Sequence, residues 1–236
     1  MQFKRVMFKL SGEALMGSKP FGYDLDTIYK IADEIVKIYK LGIQICLVIG
    51  GGNIFRGVQV AADLMDRASA DYMGMLATVM NGIALQSVLE KRGVQVRMQT
   101  AIDMNKITEP YTRKRAIRHL EKGRVVIFVA GTGSPFFTTD TASVLRASEM
   151  NCDAIFKGTQ VDGVYDKDPK KYPNATRYEK STYDEVIKKN LQVMDSTAFT
   201  LARDTNMPIV VFKLAEENSL LKALTGEGKY TLISKE

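Results

Sequence analysis

Short apolar runs alternate along the chain with stretches in which apolar residues recur every three or four positions. The runs FKRVMFKL, IQICLVI, VQVRM, RVVIFVA, CDAIFKG, PIVVFKL and KYTLIS are typical of strands. Helical spacing is clearest from Leu25 to Ile38, where isoleucines line one side. Strands that alternate with helices, and that are apolar on both faces, predict an α/β fold with a mainly parallel sheet covered on both sides.

Residues that begin and end helices fit this division. Asp24 is predicted to cap the first helix and Gly42 to end it. Pro110 is predicted to open a helix that Gly123 ends. Further helices are expected at about 66–92, 140–151, 183–189, 196–205 and 217–224. We find no repeat, low-complexity segment or clear linker, so one domain over residues 1–236 is expected.

Glycine-rich loops directly follow three of the predicted strands, at residue 12, at residues 50–52 and at residues 131–133. Glycine weakens strands and helices, but it lets the backbone approach a ligand closely. The carboxyl ends of parallel strands meet at one edge of a sheet, where ligands of such folds bind. The three loops are therefore expected to form one site.

Each of these loops carries groups that suit an anion. The stretch KLSGE places Lys9 at a strand end, followed by a hydroxyl group and backbone amides, and GGGNIFRG supplies Arg56. In GTGSPFFTTDTAS, Thr138 and Thr139 precede a predicted helix N-terminus, which favours phosphate binding. Together these elements predict a site for phosphorylated ligands.

The common nucleotide motifs are absent from the sequence. No G-x-x-x-x-G-K-[ST] motif occurs, and Phe136 stands where the dinucleotide fingerprint requires its third glycine. The H-R-D and D-F-G motifs of protein kinases are missing as well. Phosphoryl transfer by this chain would need a different scaffold.

Charge and hydropathy limit the partners to be expected. The net charge of +6 is spread over separated basic stretches, and no nucleic-acid-binding module is recognisable, so no nucleic-acid partner is expected. No continuous apolar run reaches the roughly 20 residues of a membrane span, and the N-terminus lacks a signal-peptide core. We therefore expect a cytoplasmic protein without a membrane partner.

Cysteine and histidine offer little chemistry here. Cys46 and Cys152 lie in apolar stretches and are expected to be buried thiols. The single histidine, His119, follows basic residues near a predicted helix C-terminus, where a cation is favoured over a catalytic base. No metal site formed by protein ligands is expected.

Six motifs carry a resemblance to a known family. KLSGEAL, VIGGGNIFRG, DYMGMLATVMNG, GTGSPFFTTDTA, KGTQVDGVYDKDP and VMDSTAFTLARD occur in order between about residues 4 and 213. They resemble the amino acid kinase family, and the third and fourth motifs resemble its UMP-using branch, the bacterial uridylate kinases. The resemblance implies a three-layer αβα sandwich, a homohexamer, and reversible phosphoryl transfer from ATP to UMP in pyrimidine nucleotide biosynthesis. It also implies Mg²⁺ carried by the ATP phosphates.

The resemblance further implies site residues at the matching positions. The catalytic set is Lys9, Asp195, Asp140 and Arg56. The ATP site comprises Lys9, Leu10, Ser11, Gly12, Gly52, Arg56, Thr159, Tyr165 and Asp168. The UMP site comprises Gly51, Asp71, Thr132, Gly133, Ser134, Pro135, Phe136, Phe137, Thr138 and Thr139.

The chemistry of transfer gives these residues distinct tasks. Lys9 is expected to bridge the two phosphates, because phosphoryl transfer needs alignment and positive charge. Asp195 is expected to orient Lys9 or the metal shell rather than to act as a base, since the UMP phosphate is already ionised. Asp140 could share this task, and the sequence does not divide it between the two aspartates.

Each assignment also has a simpler interpretation from the residues alone. Asp71 could be a solvated helical aspartate, Tyr165 and Asp168 could be turn residues, and Asp195 could be a helix N-cap. The methionines of MGMLATVM could serve core or interface packing. Two other functions stay open: a kinase that forms an acyl phosphate, and a nucleotide-binding protein without catalysis.

Regulation is suggested by two further points. The segment Gly17 to Gly22 matches a stretch linked to GTP activation in some relatives, but here it contains Lys19 and Pro20. We therefore expect weak GTP activation or none. Inhibition by UTP is expected, since a related uridine nucleotide can compete at the UMP site.

Overall fold

The fold is described by a computed structural model over residues 3–55, 65–191 and 193–235. The strands are β1 (Arg5–Leu10), β2 (Gln44–Ile49), β3 (Val96–Thr100), β4 (Glu109–Pro110), β5 (Val125–Val129), β6 (Ala154–Thr159), β7 (Val164–Tyr165), β8 (Arg177–Tyr178), β9 (Lys180–Thr182), β10 (Ile209–Lys213) and β11 (Tyr230–Ser234). The helices are α1 (Leu25–Lys40), α2 (Arg67–Lys91), α3 (Arg113–Glu121), α4 (Thr139–Glu149), α5 (Tyr183–Lys188), α6 (Ser196–Asp204) and α7 (Ser219–Thr225). A 3₁₀ turn, Gly12–Leu15, follows β1.

Nine of these strands form one sheet in the order β4-β3-β5-β2-β1-β6-β10-β11-β9. Neighbouring strands are parallel except for the antiparallel pair β10 and β11. Strands β7 and β8 form a separate antiparallel pair. The mainly parallel sheet predicted from the apolar runs is confirmed.

Side chains alternate between two apolar cores, one on each face of the sheet. In β1, Phe8 and Leu10 face the core covered by α1, α2 and α7, whereas Met7 faces the core covered by the helices α3 to α6. The three-layer αβα sandwich is thereby confirmed.

Local capping explains where the first two long helices begin and end. The Asp24 carboxylate accepts from the Thr27 N–H at 2.8 Å, and Asp66 caps α2 in the same way. The hydrogen bonds at Thr27 lower the pKa of Asp24. Gly42 and Gly93 follow the two helices with φ of 77° and 79°, which glycine adopts without strain.

The predicted start of the third helix is wrong. Pro110 lies in β4, where it pairs with Thr100, and α3 begins at Arg113. Proline lacks a backbone N–H, which an edge strand can tolerate on its open side. Tyr111, the next residue, still donates its N–H to the Thr100 carbonyl.

Helix α2 spans 25 residues and is, by length and composition alone, apolar enough to cross a membrane. One face of it packs tightly against the sheet at Gly82. A Cβ atom at this position would lie 2.5 Å from Val129 Cγ1 and 2.7 Å from Met98 sulfur. The core of the protein therefore accounts for this apolar face.

The histidine and the cysteines are buried. The Arg124 guanidinium lies 3.0 Å from His119 Nδ1, and His119 Nε2 lies 3.0 Å from the Glu109 carboxylate. A guanidinium can only donate, so Nδ1 accepts and Nε2 carries the proton. The His119 ring thus lies between a guanidinium and a carboxylate. Cys46 and Cys152 are free thiols, as expected.

Candidate active site

The glycine loops after β1 and β2 are in direct contact at one edge of the sheet. Gly50 donates its N–H to the Leu10 carbonyl at 2.9 Å. A Cβ atom on Gly12 would lie 2.5 Å from the Gly50 carbonyl oxygen and 2.7 Å from the Gly52 nitrogen. Glycine is required at position 12 because no side chain fits between the two loops. The predicted convergence of these loops is confirmed.

Two lysines share one aspartate beside these loops. Lys9 and Lys157 are partners in the parallel register of β1 and β6, and Asp140 lies in the first turn of α4. Lys9 Nζ lies 2.6 Å from Asp140 Oδ1, and Lys157 Nζ lies 2.6 Å from Oδ2. One carboxylate thus balances two buried ammonium groups, and the cluster keeps one positive charge that favours an anion.

Mutual electrostatics sets the protonation of this cluster. Burial alone would raise the pKa of Asp140, but Lys9 and Lys157 outweigh it and lower the pKa from 3.8 to about 2. Burial and the charge of Lys9 lower the pKa of Lys157 from 10.5 to about 8, although Asp140 opposes them. At neutral pH the carboxylate is ionised and Lys157 is mostly protonated.

Asp195 has a different set of contacts. Its Oδ1 accepts from the Ala198 N–H and from Thr141 Oγ1, both at 2.9 Å, and its Oδ2 accepts from Thr138 Oγ1. Asp195 therefore caps α6 and ties it to the N-terminus of α4. Among the described residues, Asp140 and not Asp195 contacts Lys9. The two aspartates therefore make different contacts.

A cavity of about 150 Å³ lies between α2 and the loop after β5. Six predicted UMP-site residues line it: Gly51, Asp71, Thr132, Phe137, Thr138 and Thr139. The other four, Gly133, Ser134, Pro135 and Phe136, belong to the same loop but do not line the cavity. Phe136 is 69% exposed.

Asp71 holds this loop against α2. Its Oδ2 accepts from the Phe136 N–H at 2.7 Å, and its Oδ1 accepts from Arg67 Nε at 2.8 Å. Phe136 has a φ of 70°, a conformation that residues with a Cβ rarely adopt. The loop conformation over the cavity therefore depends on the Asp71 carboxylate.

A larger groove of about 830 Å³ is lined in part by Ser11. It runs along α1, the end of β6 and the segment after β10, and Thr159 of the predicted ATP set lines it. Tyr165 and Asp168 do not. The Tyr165 hydroxyl donates to Asp162 at 2.6 Å, and Asp168 accepts from the Lys170 N–H at 2.9 Å. Arg56 falls outside the residues that the structure describes.

Sequence reasoning missed Lys157. Its signal was a lysine near the end of the apolar run CDAIFKG, which repeats the position of Lys9 in FKRVMFKL. A lysine at such a place in a buried strand needs a partner, because an unpaired buried charge is costly. The strand register that joins the two lysines was not readable from the sequence.

Comparisons with known proteins identify relatives of this chain. The model of the amino acid kinase family matches residues 4–213. A protein of Roseobacter denitrificans named uridylate kinase is 59% identical, over 98% of this chain and 96% of the relative. A uridylate kinase of Cereibacter sphaeroides is 58% identical, over 98% of this chain and 94% of the relative.

Two solved structures share the fold along the whole chain. The UMP kinase of Bacillus anthracis has a TM-score of 0.96 and 44% identity, covering 100% of this chain and 98% of its own. The UMP kinase of Ureaplasma parvum has a TM-score of 0.94 and 39% identity, with both chains covered fully.

Proposed function

The chain belongs to the amino acid kinase family, and we propose that it is a UMP kinase that transfers the γ-phosphoryl group of ATP to UMP. The products are ADP and UDP, and the reaction is reversible. The relatives named uridylate kinase at 58–59% identity over nearly the full chain support this substrate pair. The reaction supplies pyrimidine nucleotide biosynthesis.

One observation carries the proposal: the buried cluster of Lys9, Lys157 and Asp140 lies beside the contact between the first two glycine loops. Phosphoryl transfer leaves little covalent chemistry to the protein, which must align two phosphates and stabilise the charge between them. Two ammonium groups held by one carboxylate provide preorganised positive charge at this place. The UMP phosphate attacks in line and needs no general base.

We assign the two cavities to the two nucleotides. The groove of about 830 Å³ beside Ser11 and Thr159 receives ATP, and the smaller cavity beside Gly51 and Asp71 receives UMP. The remaining proposed ATP contacts are Leu10, Gly12, Gly52, Arg56, Tyr165 and Asp168. Thr138, in the 132–139 loop, caps α4. The N-terminus of α4 faces the UMP phosphate. One domain, residues 1–236, carries both sites.

Magnesium fits this site as a companion of ATP. Both oxygens of Asp140 lie against lysines, and those of Asp195 accept from two hydroxyl groups and an amide. Within the described ranges, no group of three or more histidine, cysteine or acidic side chains could hold a metal. Mg²⁺ would therefore enter on the phosphates, where it neutralises part of their charge.

Self-association is supported by an exposed apolar stripe on α2. Its members are Met73, Leu76, Met80 and Ile83, each between 41% and 51% exposed. An exposed apolar patch of this kind marks an interaction surface. We assign it to contacts within a homohexamer. UTP inhibition, through competition at the UMP site, and a cytoplasmic location complete the proposal.

The decisive experiment is a coupled assay of ADP release with ATP and Mg²⁺. UMP, CMP, dUMP, AMP and GMP are offered separately as acceptors. We expect turnover with UMP far above that with the other nucleotides. A folded protein that binds ATP but turns over none of them would refute the assignment and favour an acyl-phosphate kinase or a binding protein.

A further inference from the structure

The face of α2 that is buried against the loops carries two polar side chains. Thr78 is 2% exposed and Asn81 is fully buried. They are three residues apart and therefore lie on the same side of the helix. Asn81 holds the glycine loop after β2, and Thr78 holds the glycine loop after β5.

Asn81 holds the loop after β2. Its Nδ2 donates to the Gly50 carbonyl and to Asn53 Oδ1, both at 2.7 Å. The Asn53 amide donates back to Asn81 Oδ1 at 3.1 Å and to the Gly22 carbonyl at 3.0 Å. Both amides thus use their donors inside the protein. A buried network that is satisfied in this way favours one geometry of the loop.

Thr78 holds the loop after β5. Its Oγ1 accepts from the Ala130 N–H at 2.8 Å and donates to the Met75 carbonyl at 2.7 Å. Ala130 has a φ of 61°, which is rare for a residue with a Cβ. The chain takes this conformation at the point where β5 turns into the UMP-side loop. The hydroxyl of Thr78 therefore fixes the direction in which that loop leaves the sheet.

We propose that Thr78 and Asn81 are positioning residues that set the spacing between the loop after β2, which packs against Gly12 on the ATP side, and the loop after β5 on the UMP side. The inference rests on the proposed function and adds to it a role for the rigid helix between the loops. In-line transfer depends on this spacing, and a misplacement of about 1 Å can lower a rate on the order of 10²-fold. Thr78 also lines the smaller cavity, but a misalignment of the reacting phosphates acts on the transition state, so the effect should appear mainly in kcat.

The test compares Thr78→Val, which removes the hydroxyl, with Thr78→Ser, which keeps it. The control is Thr225→Val on α7, whose exposed hydroxyl also bonds to a helix carbonyl. We expect Thr78→Val to lower kcat about 10- to 100-fold with KM for ATP and UMP changed less than about 3-fold. Thr78→Ser and Thr225→Val should keep kcat within about 3-fold. Folding is checked by circular dichroism.

A second readout is independent of activity. Hydrogen exchange at the Ala130 amide should accelerate in Thr78→Val and stay slow in Thr78→Ser. Asn81→Asp, which turns a donor toward the Gly50 carbonyl into an acceptor, should lower kcat as Thr78→Val does. If Asn81→Asp does not fold, the Thr78 variants decide alone.

The inference is overturned if Thr78→Val keeps the wild-type kcat, or if Thr78→Ser loses as much kcat as Thr78→Val. It is also overturned if the loss appears only in KM, since each loop would then act alone. A wild-type protein that does not phosphorylate UMP would overturn the proposed function first. The wild-type rate therefore distinguishes the two failures.

Discussion

Lys9 Nζ lies 2.6 Å from Asp140 Oδ1, and this ion pair joins the first strand to the start of α4. Without the carboxylate, the two ammonium groups of the cluster would repel each other in a buried place. Asp140 also raises the pKa of Lys157, which burial would otherwise push below its value of about 8. Lys157 therefore depends on the ionised Asp140 to keep its proton.

Asp140→Asn should lower kcat on the order of 10²–10³-fold, because Lys157 loses its proton and Lys9 loses its orientation. The matched variant is Asp195→Asn, which keeps a good N-cap residue on α6. We expect it to retain most of the activity. The rate of ADP release at saturating ATP and UMP gives kcat for both variants. Equal losses in the two variants would refute the division of work between the aspartates.

The pH dependence of kcat/KM should show an alkaline limb with a midpoint at about 8. The pKa of Lys157 is lowered to that value, so raising the pH removes its proton and its charge. Asp140, with a pKa of about 2, stays ionised over the same range. In Lys157→Arg the guanidinium stays charged, and the limb should move to higher pH. An unchanged alkaline limb in Lys157→Arg would show that a group other than Lys157 causes it.

Gly51→Ala and Gly52→Ala should separate stability from binding. A Cβ atom on Gly51 would lie 2.8 Å from the Gly74 carbonyl oxygen and 2.9 Å from Ala77 Cβ. Gly51→Ala should therefore destabilise the protein by about 1–3 kcal/mol, visible as a lower Tm. On Gly52 the nearest atom, Glu13 Cγ, is 3.7 Å away, so Gly52→Ala should keep Tm and raise KM for ATP. A normal Tm for Gly51→Ala would contradict the tight packing.

Leu76→Arg should break the assembly proposed for the stripe on α2. An arginine at the centre of an apolar interface would be buried without a partner, which is strongly unfavourable. Light scattering after size-exclusion chromatography should show smaller particles than for the wild type. Ile107→Arg, at a residue 58% exposed before β4, serves as the control and should keep the wild-type mass. Loss of mass in both variants would point to general destabilisation.

The sequence was most informative where a structure depends on near neighbours. Asp24 and Gly42 mark helix ends through contacts within a few residues, and both predictions are confirmed. The helix start predicted at Pro110 was wrong because proline suits both the first turn of a helix and an edge strand. The partner strand, not the local sequence, made it an edge strand.

The candidate site was predictable at its glycine loops and incomplete at its charges. The phosphate loops follow directly from the strand order, since parallel strands end at one edge. Lys157 meets Lys9 only through the pairing of β1 with β6, which neither local sequence encodes. The resemblance brought Asp140 and Asp195 together in one role, whereas their contacts differ.

The edges of the large sheet have a consequence for how the protein can associate. It ends in β4, two residues long with a proline, and in β9, three residues long. Short edges and a missing N–H offer another chain few backbone groups to extend the sheet. Fibre-like growth by strand addition is therefore disfavoured. The homohexamer proposed above would therefore have to form through helical surfaces, where assembly can stop at a closed number of copies.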